Sequence, residues 1–242
     1  MDIGIIGSGE MGTCLAEKFI KLGHTVSVAN SRGPASLKKF AEDTGAKAAT
    51  AEKAVKNKDL IVVAIPQKNI PGLSHLFKHL PGEVMVIDTG NYYPNLRDGA
   101  IPALDQHGVD SRWVQEQLGI PVIKVFNSIL ATSLKNISRA KGDKDRIALA
   151  VSGDNTRAKE AVFKLVDESG FDPFDLGNIA QSWKQQPGSP IYCRDINLEE
   201  LKKRVDAIET GSPGMQAIIA KRKADEKLMK ADYPAYLESL RS

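Results

Sequence analysis

The chain has 242 residues, enough for one large α/β domain or a domain with a short appendix. Its hydrophobic share of 42%, charged share of 26% and net charge of +3 are those of an ordinary globular protein and give no reason to expect a nucleic-acid partner. It has only two cysteines, Cys14 and Cys193, and no C-x-x-C pair, so neither a disulfide scaffold nor a cysteine-rich metal site is expected. No apolar run is long enough to cross a bilayer, and the first residues enter a strand at once. The expectation is a cytoplasmic protein with no membrane partner and no leader.

Short β-branched runs alternate with helical patterns from the first residue. Residues 3–6 read as a strand. Met11, Leu15, Phe19 and Leu22 then share one helical face, which Gly23 ends. A second strand covers 25–29. Gly33-Pro34 opens a helix running to about residue 44, since proline suits the first helical position. A weak strand at 46–49 follows. "DLIVVAIP" (59–66) is nearly all apolar, as a strand buried on both faces must be. Further strands are expected at 83–91, 121–127 and 146–153, with an amphipathic helix at 156–169. The run 171–177 reads as an edge strand, because Pro173 cannot donate to a ladder. The alternation predicts an α/β fold with a doubly wound, mostly parallel sheet. The pattern changes after Gly177. Residues 1–177 read as a nucleotide-binding domain and 178–242 as a helical, charged extension. In that extension Met215, Ile218 and Ile219 form an apolar face that needs a partner, either the sheet domain or a second subunit; a homodimer is the expectation.

Two motifs carry the chemistry. Gly7-Ser8-Gly9-Glu10-Met11-Gly12 fits G-x-G-x-x-G between a strand and a helix, the context that makes this pattern meaningful. Gly7 permits a tight turn, Gly9 lets the backbone approach a pyrophosphate, and Gly12 lets helix and strand pack. The helix N-terminus offers its free N–H groups to the phosphates. The second strand ends at Asn30-Ser31-Arg32, where an NAD site places an acid for the ribose 2′-hydroxyl. A guanidinium there instead suits a 2′-phosphate, because its planar fork donates two parallel bonds. The cofactor expected is NADP, in a Rossmann domain.

With these residues in place, the chain resembles the NADP-dependent oxidoreductases that act with a deazaflavin coenzyme. It is also similar to the cytosolic NADPH-binding domain of transmembrane ferric reductases. The shared segments are "IGIIGSGEMG", "VANSRGP", "VVAIP", "VIDTGN", "VIKVFNSI" and "FDPFDLGNIAQSW", which span roughly residues 1–183. The resemblance implies that Ser8 to Gly12 line the pyrophosphate and that Ser31 and Arg32 hold the 2′-phosphate. It implies that Ile65 and Pro66 border the adenine and ribose side, and that Asn91, Phe126 and Asn127 sit near the nicotinamide. Deazaflavin enzymes can carry a lysine where this chain has Ser36, and a histidine where it has Asn127.

Hydride transfer between two rings needs close stacking and exclusion of water, not a protein nucleophile. No side chain is therefore expected to act as an obligatory acid or base. His24, His75, His79 and His107 fall in turns, polar helices or loops and read as solvated or capping residues. Tyr92 and Tyr93 follow a strand end and read equally as ring stackers or loop packing. The function expected is an NADP(H)-dependent oxidoreductase with a flavin- or deazaflavin-like acceptor. The alternatives are an NADP-binding sensor or partner protein without turnover, or a reductase of a quinone, ferric chelate or imine.

Overall fold

The structure, a computed structural model, describes residues 1–211 and 213–240, without the side chain of His107. Eight strands form one sheet: β1 (Asp2–Ile6), β2 (Thr25–Ala29), β3 (Lys47–Ala48), β4 (Leu60–Val63), β5 (Met85–Asp88), β6 (Ile123–Lys124), β7 (Ala148–Ser152) and β8 (Asp172–Gly177). Their order is β3-β2-β1-β4-β5-β6-β7-β8. β1 lies between β2 and β4, parallel to both, so the winding direction reverses there. A crevice opens outside the carboxyl ends of the strands at such a switch point. The expected doubly wound architecture is therefore the observed one, and β8 is an edge strand.

The chain's helices, α3 (Ala51–Val55), α4 (Ser74–Phe77), α5 (Pro102–His107) and α8 (Thr156–Glu168) among them, cover both faces. On one, α1 (Glu10–Lys21) buries Leu15 and Phe19 against Ile3, Ile5 and Val28. On the other, α6 (Asp110–Leu118) packs Trp113 and Val114 against Ile61 and Val63. The sequence pattern does not reveal that β7 runs antiparallel to β6, through a single pairing of Lys124 with Ser152. After β6 the chain forms only α7 (Ala131–Asn136), which packs beside α1 with Lys135 paired to Glu17 at 2.9 Å. A charged loop, not a crossover helix, then leads into β7. The sparse β6–β7 ladder is completed by a side chain. Gln185 is fully buried; its Nε2 donates to the Lys124 and Ala150 carbonyls at 3.3 Å, and its Oε1 accepts from Ser152 Oγ at 3.0 Å.

The extension consists of a 3-10 turn at Ile179–Gln185, a loop, then α9 (Leu198–Glu209), α10 (Met215–Ala231) and α11 (Tyr233–Ser239). The apolar face of α10 is covered within the same chain. Met215 and Ile219 lie against Gly108, and Ile218 is buried. Farther along α10, the Arg222 guanidinium sits 4.9 Å above the Tyr92 ring, and Glu226 accepts from Asn95 N at 3.0 Å and Nδ2 at 2.7 Å. The face that prompted a second subunit thus has its partner in the sheet domain.

Asp110, at the start of α6, is buried between these elements. Its Oδ2 accepts from Tyr92 N at 3.2 Å, and its Oδ1 lies 3.8 Å from Arg222 Nη1. Burial pushes this carboxyl up to about 6, against the opposing pull of Arg222 and Lys124. A folded-state value above the unfolded one favours the protonated native form. The resulting stability is present below about pH 4 and lost as pH rises through about 6. Asp110→Asn mimics the protonated acid, so its melting temperature relative to the native chain should rise steadily from pH 4 to pH 7. A difference between the two chains that is constant over that range would refute the assignment.

Candidate functional site

The glycine loop joins β1 to α1 and shows why each glycine is present. Gly7 has φ +118°, and a Cβ there would lie 2.1 Å from the Ala64 carbonyl oxygen. A Cβ on Gly12 would lie 2.1 Å from the Gly7 carbonyl oxygen. Both glycines are demanded by the fold. Gly9 is different: it caps α1 with ordinary φ −75°, and a Cβ there would meet no atom within 4 Å. Among the described residues, nothing requires glycine at this position. No side chain caps the first turn of α1, so its leading N–H groups stay open toward the same space.

The loop after β2 is tied to the glycine loop by Asn30. Its Nδ2 donates to Ser8 Oγ at 2.9 Å and to Ser36 Oγ at 3.0 Å, while its Oδ1 accepts from Arg32 N at 2.9 Å. Gly33, at φ +81°, turns the chain into the short 3-10 helix Pro34–Leu37, and α2 (Lys38–Thr44) follows. The helix expected over 34–44 is thus split into two types. Ser31 and Arg32 project outward, and Arg32 makes no ion pair among the described residues. Gly7, Ser8, Gly9, Asn30, Ser31 and Arg32 line a cavity of about 620 Å³, closed on its far side by Ile65 and Pro66, which follow β4.

A second cavity, of about 350 Å³, continues it along the sheet edge. Gly9, Ala64, Ile65 and Pro66 line both, so the two form one cleft. Glu10, Met11, Asn91 and Asn127 border this second part. Asn127 Nδ2 donates to Asn91 Oδ1 at 3.1 Å and to the Gln185 carbonyl at 2.8 Å, and Asn127 Oδ1 accepts from Gln185 Nε2 at 2.7 Å. The two asparagines are therefore fixed in orientation. Three residues expected at the cofactor do not line the cleft. Phe126 is fully buried with φ +60°, its ring edge-on to Phe19 at 6.2 Å, while the next side chain, Asn127, bonds Asn91 and Gln185. Gly12 faces Gly7, and Ser36 serves the Asn30 network.

Sequence reasoning missed the opposite wall. Arg97 borders the second part of the cleft, with Nη2 donating to the Asn91 carbonyl at 2.5 Å and pairing with Asp98 at 2.9 Å. Its place in the segment that follows β5 was the available signal. Tyr192 and Cys193 come from the loop beyond Gln185, which carries no periodicity and gave none. Tyr192 Oη lies 2.5 Å from Tyr93 Oη and accepts from Asn91 Nδ2 at 3.2 Å. Tyr93 thus supports the wall from behind through Tyr192. Tyr92 is buried packing, its hydroxyl accepting from Ile101 N at 2.8 Å. Below the floor, the buried Lys124 donates to Asp88 at 2.9 Å and to the Gly90 carbonyl at 2.5 Å, fixing the loop before Asn91.

Burial holds the Tyr93 and Tyr192 hydroxyls well above their ordinary range and pushes the Cys193 thiol to about 12. These groups stay protonated at neutral pH and offer hydrogen bonds, not a base or a thiolate. His24, His75 and His79 line neither part of the cleft. Among the described residues, no cluster of three or more His, Cys, Asp or Glu is placed to hold a metal. Among the described residues, no helix is long and apolar enough to cross a membrane.

Residues 2–92 match the profile of a family described as NADP oxidoreductase, coenzyme F420-dependent. A hypothetical protein from Sinorhizobium meliloti shares 31% identity, over 80% of this chain and 94% of that one, with a TM-score of 0.69. A protein described as an F420-dependent NADP-reductase from an Arthrobacter species shares the fold at a TM-score of 0.62 and 23% identity, over 76% of this chain and 87% of that one. Metalloreductase STEAP3 of Rattus norvegicus is 28% identical over 181 residues, which is 74% of this chain and 34% of that protein. The chain spans between 34% and 40% of the length of the curated relatives it matches.

Proposed function

We propose that this chain, whose residues 2–92 match the family described as NADP oxidoreductase, coenzyme F420-dependent, binds NADP(H) along the cleft and passes hydride to or from a flavin- or deazaflavin-type ring. The observation that carries the cofactor is the contrast among the glycines. Two are required by neighbouring backbone, while Gly9 faces open space beside uncapped helix N–H groups. That is a cradle for a pyrophosphate. Arg32, exposed and without an ion pair among the described residues, supports a 2′-phosphate contact beyond it.

When bound, NADPH supplies the hydride from its nicotinamide ring. The chain's residues do the rest by position. Asn30 locks the two phosphate-facing loops together through Ser8 and the Arg32 backbone. Asn91 and Asn127, each held by the other and by Gln185 or Tyr192, present amide groups of fixed orientation to the ring end of the cleft. Direct transfer asks for orientation of this kind.

The test is anaerobic oxidation of NADPH and of NADPH deuterated at C4, against flavins, a deazaflavin, quinones and ferric chelates. The expected result is turnover with a flavin or deazaflavin, slowed by deuterium, with little pH dependence between pH 6 and 8. Turnover with ferric chelates alone would replace the acceptor. Tight NADPH binding with no turnover would favour the sensor.

A further inference from the structure

The helical extension encloses a cavity of about 460 Å³ that shares no lining residue with the cleft. Three elements build it: the loop over 186–197, α9 and the start of α10. The loop is seated directly on α10. Gly188 has φ +89°, and a Cβ there would lie 2.3 Å from the Ile218 carbonyl oxygen, so this approach needs a glycine. The loop has two sides. Tyr192 and Cys193 wall the cleft, whereas Pro190 and Arg194 line the cavity.

The charges that line the cavity have one sign. Arg194 comes from the loop, Arg204 from α9 and Lys221 from α10, and no carboxylate joins them in the lining. Two carboxylates answer them from elsewhere: Glu200 accepts from Arg204 Nε at 2.8 Å, and Asp225 pairs with Lys221 along α10. Arg194 has no ion pair among the described residues. It donates from Nη1 to the Ser239 carbonyl at 2.6 Å, and its Nε is buried without a partner. Burial, and next the neighbouring Arg204 charge, pull this guanidinium below its ordinary range. A guanidinium short of acceptors and repelled by a second one is relieved by an added anion. The start of α10 acts in the same sense. No side chain caps it, its first turn carries no acid, and Pro213 and Ala217, on either side of its Gly214 cap, line the cavity.

We propose that this cavity is a second ligand site, which takes the phosphate group of a small phosphate monoester. Guanidinium forks and open helix N–H groups match a dianion, with its larger set of acceptor oxygens, better than a carboxylate. The volume is that of a small-molecule pocket, larger than a lone ion needs. Pro190, Pro213 and Ala217 give the remaining wall an apolar character that suits the carbon part of an ester.

Ribose 5-phosphate, inorganic phosphate and ribose are the probes, titrated by calorimetry at constant ionic strength. Ribose 5-phosphate should bind the native chain at least tenfold more tightly than ribose and more tightly than inorganic phosphate. Lys221→Gln, a change at a half-exposed side chain, and Arg194→Gln should each weaken its binding fivefold or more. Circular dichroism identifies the variants that fold, and either of the two decides. Arg32→Ala, in the cleft, should leave the Kd for ribose 5-phosphate within twofold. Absence of binding, or equal affinity for ribose, would overturn the proposal. Binding lost in Arg32→Ala but kept in a folded Lys221→Gln or Arg194→Gln chain would move the anion to the cleft and overturn it too. Inorganic phosphate binding as tightly as the ester would overturn the ester as the occupant.

Discussion

Gly9→Val is expected to raise the Kd for NADPH at least ~100-fold, equivalent to about 2.7 kcal/mol, while the chain remains folded. The backbone at this residue lies in a region open to valine, and a Cβ there meets none of the described residues within 4 Å. The added side chain then occupies the space into which the α1 N-terminus points. Gly12→Ala is the control: its Cβ would collide with the Gly7 carbonyl at 2.1 Å, so that variant should lose stability as well as binding. Calorimetry and circular dichroism on both variants separate the outcomes. A folded Gly9→Val chain that binds NADPH normally would place the phosphates elsewhere.

Arg32→Ala is expected to remove most of the preference for NADPH over NADH. A charge-assisted hydrogen bond contributes about 1.5–3 kcal/mol, so the native chain should favour NADPH by roughly 10- to 100-fold. The guanidinium is exposed, so that preference should shrink as salt is raised. The Kd for NADH should hardly change in the variant, because the rest of the cleft is untouched. Equal affinity of the native chain for the two cofactors would refute the assignment of NADP.

The order of elements was legible because each strand and helix carries its own periodicity and its own stop signals. The apolar run at Leu60–Val63, the proline at 34 and Gly23 act over a few residues, and local physics governs them. The glycine loop and the residues Asn30 to Arg32 were legible for the same reason: backbone demand and charge are written at the position itself. Phe126 was not, since whether a residue beside a strand end faces the core or the cleft depends on one backbone turn, and φ +60° at a phenylalanine leaves no trace in the sequence.

The sequence by itself determined the α/β alternation, the phosphate-facing loop and the absence of an acid after β2. Each is a property of a few adjacent residues. Only the tertiary structure decided that β7 runs antiparallel, that Gln185 completes the sparse ladder beside it, and that α10 covers its own apolar face on Gly108. It alone brought Tyr192 and Cys193 to within reach of Asn91, a hundred residues earlier in the chain. Such contacts follow from how far-separated segments satisfy buried polar groups and exclude water together, and no local pattern encodes the partner each will find.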